Sequence, residues 1–306
     1  MDAASLWGAV FDFTDYGELL PLVATSLVAA AVLGLVGGLI GVFVMMRDLA
    51  FAVHGIAELS FAGAAFALLV GANVVAGSLV GSVLAAVVLG LMGVRARDRN
   101  STIGVLMPFG LGLGILFLSL YQGRAANKFG LLTGQIVAVD EVQLTLLLVV
   151  AAVVIAGLAV LWRPLTFASA DPDMAAARGL PVGVLSVAFM VLLGLAVALS
   201  IQVVGALLVL SLLITPAAAA LRVTSTPWLV TVLSVVFGVV SAVGGILLAL
   251  GGSIPISPYV TTISFLIYLV CRVIGSVRER HGGAPRGRTA APELVAGAAV
   301  PVSGRA

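Results

Sequence analysis

Charge is what this chain has least of. Among its 306 residues 9% are charged and 62% hydrophobic, and the mean hydropathy is +1.27. A water-soluble domain carries about 25% charged residues, so the composition excludes one. A single cysteine, Cys271, excludes an internal disulfide. Lysine occurs once, as Lys128, and follows Asn127 rather than glycine. The phosphate-cradling loop G-x-x-x-x-G-K-[ST] is therefore absent, and any ATP used must be bound by another polypeptide. With two histidines, His54 and His281, a zinc-protease H-E-x-x-H helix is impossible. No G-x-S-x-G nucleophile elbow occurs either. The chain is expected to have no enzymatic activity of its own. A formal net charge of +2 is too small to imply nucleic acid. Asp2, Asp12, Asp15 and Glu18 precede the first base, Arg47, so the N-terminus is not expected to be a secretory signal.

What the chain does have is long apolar runs. They fall near 20–44, 49–71, 73–94, 102–121, 142–162, 184–201, 203–221, 228–250 and 257–275. Runs near twenty residues predict membrane-spanning helices rather than the short alternating strands of a barrel. The fold class is all-α, a polytopic bundle of eight or nine transmembrane helices. The count turns on 184–221, where Gln202 is the one polar break and Pro216 should kink or split the second member. Residues 1–19 read as a short extracytoplasmic segment, 20–276 as the membrane domain, and 277–306 as a disordered basic cytoplasmic tail. With nine spans and a cytoplasmic C-terminus, thirteen of the fifteen bases fall inside and only Arg124 and Lys128 outside. The acidic N-terminus then lies outside, in a multi-pass protein of the cell membrane. Gly34 and Gly38, Gly37 and Gly41, and Gly110 and Gly114 have the spacing that lets membrane helices approach closely. Packing within one bundle accounts for them without a specific dimer face.

The third span is preceded by one that breaks the pattern. Residues 49–71 hold His54 and Glu58, four apart and so on one helical face, in a stretch otherwise free of ionisable groups. Counted from Arg47 at the expected membrane edge, they lie ~10 and ~16 Å deep. Ionisable groups there cost roughly 2.5 kcal/mol or more each unless they face protein, water or an ion. Three readings stand. The pair can be structural, histidine donating to glutamate. It can relay protons. Or it can touch a divalent cation in transit, for which imidazole and carboxylate suit zinc, manganese or iron(II). Two donors per chain are too few for a tight site, and a conduit should not bind tightly.

The stretch after the fifth span, Arg163 to Pro181, is the second informative feature. Asp171 can cap a short helix with Pro172 at its first position and Asp173 in its first turn. Arg178 falls in the last turn, Gly179 supplies the stop and Pro181 prevents resumption. Such a helix on the basic side suits either a docking knob for a cytoplasmic partner or an ordinary surface connection.

Four stretches carry a family resemblance: GVFVMMR at 41–47 leading into the His54/Glu58 helix, STIGV at 101–105, LLTGQIVAV at 131–139, and VGALLVLSLLITPAAAA at 204–220, one span after AAARGLP at 175–181. Across about residues 20–275 the chain resembles the permease subunits of the zinc/manganese/iron ABC importers. The resemblance implies a fold similar to the cobalamin-type importers: a homodimer with the path between subunits. It also implies a cytoplasmic ABC ATPase carrying the ATP, an extracytoplasmic metal-binding protein, a lipid bilayer around the chain and no nucleic acid. No tightly bound cofactor is expected. The transported ion would be zinc, favoured by the donor set, with manganese next. Asp171, Pro172, Asp173, Arg178 and Gly179 would form the coupling helix that meets the ATPase. The family's second helix reads G-D-A-x-S-H; here His54 and Glu58 hold the aspartate and histidine positions, acid and base exchanged. The gating or metal-relay role carries to them on that basis. Outside the resemblance stand a proton-coupled cation carrier and a permease for a metal chelate or siderophore.

Overall fold

The computed structural model describes residues 17, 20–21, 23–92, 96–123, 141–205, 209–251 and 256–281. Eight helices among these are long and apolar enough to cross a bilayer: α1 (Ala24–Met46), α2 (Ala50–Leu69), α3 (Val74–Met92), α4 (Ala96–Leu120), α5 (Glu141–Ala170), α7 (Val182–Val204), α10 (Pro227–Ala249) and α11 (Ile256–His281). Between them lie α6 (Pro172–Ala177), α8 (Val209–Leu213) and α9 (Thr215–Val223). An apolar helix closes its own backbone hydrogen bonds, which is what a chain in lipid requires. The described residues contain no strand. The predicted all-α class holds, and the helices overlie the predicted spans apart from the boundaries given below.

Residue-level contacts fix the direction of each helix. Gly34 lies against Gly238, and Gly38 against Val235, so α1 and α10 are antiparallel. Ser234 Oγ donates to the Gly38 carbonyl at 2.8 Å across that seam. Gly63 meets Gly77 and Leu59 meets Gly81, making α2 and α3 antiparallel. Gly90 against Val187 and Ser82 against Gly194 do the same for α3 and α7. Conversely, Gly55 with Ile103, Glu58 with Gly110 and Phe61 with Gly114 make α2 and α4 parallel. The small-residue pairs read from the sequence thus serve packing inside one chain. A side chain at Gly38 would sit 2.6 Å from the α10 backbone, which permits no Cβ there.

These directions count the passes. Helices α7 and α10 run the same way, so the chain between them must return, and α8 with α9 makes that return. Gly205 (φ +85) ends α7, Ile214 separates α8 from α9, and Pro216 opens α9. Ser264 Oγ donates to the Ser211 carbonyl at 3.1 Å and Gly275 meets Arg222, so this broken pair runs parallel to α11. Its fifteen residues span ~22 Å at helical rise. The described residues therefore traverse the bundle nine times, the seventh pass being discontinuous where Pro216 was expected to split it. The start of α1 and the end of α11 lie on opposite faces.

Three boundaries differ from expectation. Helix α5 runs thirty residues, through Arg163 and Pro164 to Ala170, where the sequence reading began a loop. Proline costs one backbone bond there; hydroxyls take up neighbouring carbonyls, Thr166 Oγ1 donating to Trp162 O at 2.7 Å and Ser169 Oγ to Leu165 O at 2.6 Å. Helix α4 begins at Ala96, before the expected span. Helix α11 continues to His281, five residues into the expected tail. Residues 1–16, Arg124, Lys128, the 131–139 motif, 206–208 and the tail from 282 lie outside the described residues.

Candidate ion path and coupling helix

Helix α2 is gripped by α3, α4, α7 and α8, which is why a polar pair survives in it. Gly63, Gly77 and Gly81 let α3 approach to backbone contact; Gly110 does so for α4, and Gly114 makes room for the Phe61 ring. Both predicted ligands lie in this helix and their side chains come together: His54 Nε2 is 3.6 Å from Glu58 Oε1. The Glu58 side chain is 9% exposed and that of His54 33%. At 3.6 Å the two attract but do not hydrogen-bond, for which 2.7–3.2 Å is needed. His54 Nδ1 and Glu58 Oε2 are buried with no hydrogen-bond partner among the described residues. A buried polar atom left so costs about 1–3 kcal/mol. Mutual satisfaction of the two side chains therefore does not describe this geometry. An imidazole nitrogen and a carboxylate oxygen, both unengaged and on one face, can accept a cation or a proton. No group of three or more His, Cys, Asp or Glu close enough to hold a metal occurs among the described residues.

At the face where α1, α5, α9 and α11 end, α6 stands out from the bundle. Asp171 is its N-cap, with a carboxylate oxygen accepting from Met174 N at 2.9 Å; Pro172 opens the helix and Asp173 lies in its first turn. Arg178 is not in the last turn but caps the end, one residue further on. Gly179 takes φ +82, its N–H donating to Ala176 O at 2.9 Å, while Leu180 N donates to Ala175 O at 3.0 Å. This paired closure needs the left-handed residue that glycine supplies. Ala175 is buried against Ala168 and Leu185, with Phe167, Leu180 and Val182 around them. Asp171, Pro172, Asp173, Met174, Ala176, Ala177, Arg178 and Gly179 are exposed. A six-residue helix pinned by one alanine and bare elsewhere presents a rigid knob.

The sequence reading missed two parts of this arrangement. Gly110 of α4 backs directly onto Glu58. Arg47, used there only to mark the membrane edge, donates to Ser169 Oγ at 2.8 Å and lies over the Phe189 ring at 5.5 Å. Its position ahead of the polar helix was the available signal; its partners were not legible.

Nine passes among the described residues, one of them interrupted, and an ionisable pair inside the second describe a polytopic membrane transport protein. Residues 20–275 match the ABC 3 transport family, and the chain belongs to it. It is 32% identical over 222 residues, 72% of this chain and 76% of the relative, to the manganese transport system membrane protein MntC of Halalkalibacterium halodurans. It is 26% identical over 273 residues, 89% of this chain and 97% of the relative, to the manganese import system permease protein ScaB of Streptococcus parasanguinis. Its fold is similar to the structure of PsaBC from Streptococcus pneumoniae in complex with Fab, with TM-score 0.74 and 25% identity over 83% of this chain and 94% of that one.

Proposed function

We propose that this chain is the membrane-spanning permease of an ATP-driven, binding-protein-dependent importer of a divalent transition metal. His54 and Glu58 carry the reading: at 3.6 Å, with one buried nitrogen and one buried oxygen unengaged, they form a weak two-donor contact deep in α2. Two copies of the chain would bring four such donors to a shared path, enough to complete a tetrahedral set transiently. The donor chemistry admits zinc and manganese alike. The sequence reading put zinc first; the names of the relatives MntC and ScaB put manganese first, and manganese is the cargo to test before zinc. An extracytoplasmic binding protein would deliver the ion to the face where α1 begins.

The face bearing Arg47, Arg163, Arg178, Arg222, Arg272 and Arg278 would be cytoplasmic, by the bias of bases toward that side. The N-terminus then lies outside and the C-terminus inside. A separate ATPase would grip α6 through Asp171, Pro172, Asp173, Arg178 and Gly179, each of which the helix leaves exposed.

The test is uptake of radioactive manganese and zinc in cells lacking and regaining this chain, with His54→Ala and Glu58→Ala beside it. Both substitutions should abolish uptake while the ATPase still copurifies. Undiminished uptake in both variants sinks the reading. Uptake driven by a pH gradient in vesicles holding this chain alone would transfer it to a proton-coupled carrier.

A further inference from the structure

Arg47 stands where three helices meet at the basic face. Its Nε donates to Ser169 Oγ, at 2.8 Å, on the last turn of α5. Its guanidinium carbon lies 5.5 Å from the ring centre of Phe189 on α7. These are the two helices that flank α6: Ser169 precedes the cap Asp171 by two residues, and α7 begins at Val182, just beyond Pro181. The contacts are held stiffly. Ser169 has one proton and gives it to Leu165 O at 2.6 Å, so toward Arg47 it can only accept. Phe189 is wholly buried and packs at 5.9 Å on Phe43, which meets Trp162 edge-on at 4.9 Å.

On its other side Arg47 is tied to α2 through a turn of three residues. Asp48 adopts the left-handed conformation, φ 53, and Leu49 N donates to Val44 O at 2.9 Å. Leu49 is buried, and its carbonyl accepts from Val53 N at 3.1 Å. Arg47 is therefore joined to the first turn of α2, one turn below His54, through a hydrogen-bonded turn.

We propose that Arg47 is the positioning residue that transmits motion of α6 to the His54/Glu58 pair. Force on α6 moves the ends of α5 and α7; the guanidinium, bonded to one and stacked on the other, carries the α1–α2 turn with them. Arginine suits this because its planar fork donates from Nε and stacks at once, which a lysine ammonium does not. The inference rests on the transport reading above and assigns a path for the coupling within it.

The experiment measures manganese entering per ATP hydrolysed, using the chain assembled with its ATPase in vesicles and supplied with binding protein. Arg47→Gln should lower that ratio about tenfold, the scale of one hydrogen bond to a charged group. Arg47→Lys should recover part of it, because the charge returns without the Nε contact. Ser169→Ala, which removes the acceptor together with the hydroxyl's own bond to Leu165 O, should lower the ratio by about the same factor, since the same charged hydrogen bond is lost. A merely structural role would reduce hydrolysis and transport together and leave the ratio unchanged, which overturns the proposal. Should Arg47→Gln fail to assemble, an unchanged ratio in Ser169→Ala overturns it equally. His54→Ala in the same vesicles separates the two readings. Normal transport there rejects the ion path itself. Abolished transport there, with wild-type ratios in the Arg47 and Ser169 variants, rejects only the transmission.

Discussion

Gly110 of α4 passes so close to Glu58 that a methyl on its Cα would meet the Glu58 carbonyl carbon at 3.0 Å and the Glu58 Cβ at 3.2 Å. Helices α2 and α4 touch backbone to backbone at the level of the carboxylate, and the absent side chain sets where that carboxylate stands. Gly110→Ala should push α2 by a few tenths of an ångström at Glu58. Overpacking of this size costs about 1–3 kcal/mol, tolerable in a bundle of nine passes. Metal uptake should fall severalfold while the amount of protein in the membrane holds. Gly112→Ala is the control, since nothing lies within 4 Å of a methyl there. Equal uptake by the two variants would show that the α2–α4 approach does not govern the path.

The order of acid and base in α2 can be exchanged. His54→Asp with Glu58→His keeps one imidazole and one carboxylate on the same helical face, in the order the resembled family uses. The double variant should retain uptake within several-fold of the parent. Each single change leaves two carboxylates or two imidazoles and should lose most of it. Competition between manganese and zinc should shift toward zinc in Glu58→His, because imidazole is the softer donor. Loss of uptake in the double variant equal to that in the singles would mean position matters more than donor type.

The capped helix α6 offers a separable lesion. Asp171→Ala removes the acceptor for Met174 N, worth about 1 kcal/mol. Gly179→Ala places a Cβ at φ +82, where the penalty is about 1–2 kcal/mol although nothing lies within 4 Å. Both residues are exposed, so the membrane bundle should keep its thermal stability. A six-residue helix cannot stand without its caps. Copurification of the ATPase should therefore fall by about fivefold in Asp171→Ala and at least as much in Gly179→Ala, since each 1.4 kcal/mol is tenfold. Unchanged copurification with normal uptake would return α6 to an ordinary connection.

Much of this was legible because lipid makes sequence rules strict. His54 and Glu58 are conspicuous because an ionisable group in an apolar run needs a partner, and their common face follows from spacing alone. Pro216 announced the split between α8 and α9 for the same reason. Pro164 misled: in water Arg163-Pro164 reads as a helix end, but α5 continues, with the Thr166 and Ser169 hydroxyls bonded to nearby carbonyls. What spacing does not carry is packing between distant segments. Gly110 against Glu58, and Arg47 against Ser169 across 122 positions, depend on which helices become neighbours.

The broken return gives the most decisive test of the fold. If α8 and α9 cross, Asp173 and Ser225 lie on one face of the membrane and Ala72 on the other. If the segment merely dips in and out, α10 would start on the opposite face from α6, and Ser225 would join Ala72. The single native cysteine, Cys271, is buried and can be removed as Cys271→Ala. On that background Asp173→Cys, Ser225→Cys and Ala72→Cys are labelled in intact cells by a thiol reagent that cannot cross the membrane. Only Ala72→Cys should react until the cells are opened, after which the other two should react together. Labelling of Ser225→Cys in intact cells would reduce the passes to eight. It would also reverse α10 relative to α7, against Gly34 packing on Gly238 and Gly90 on Val187.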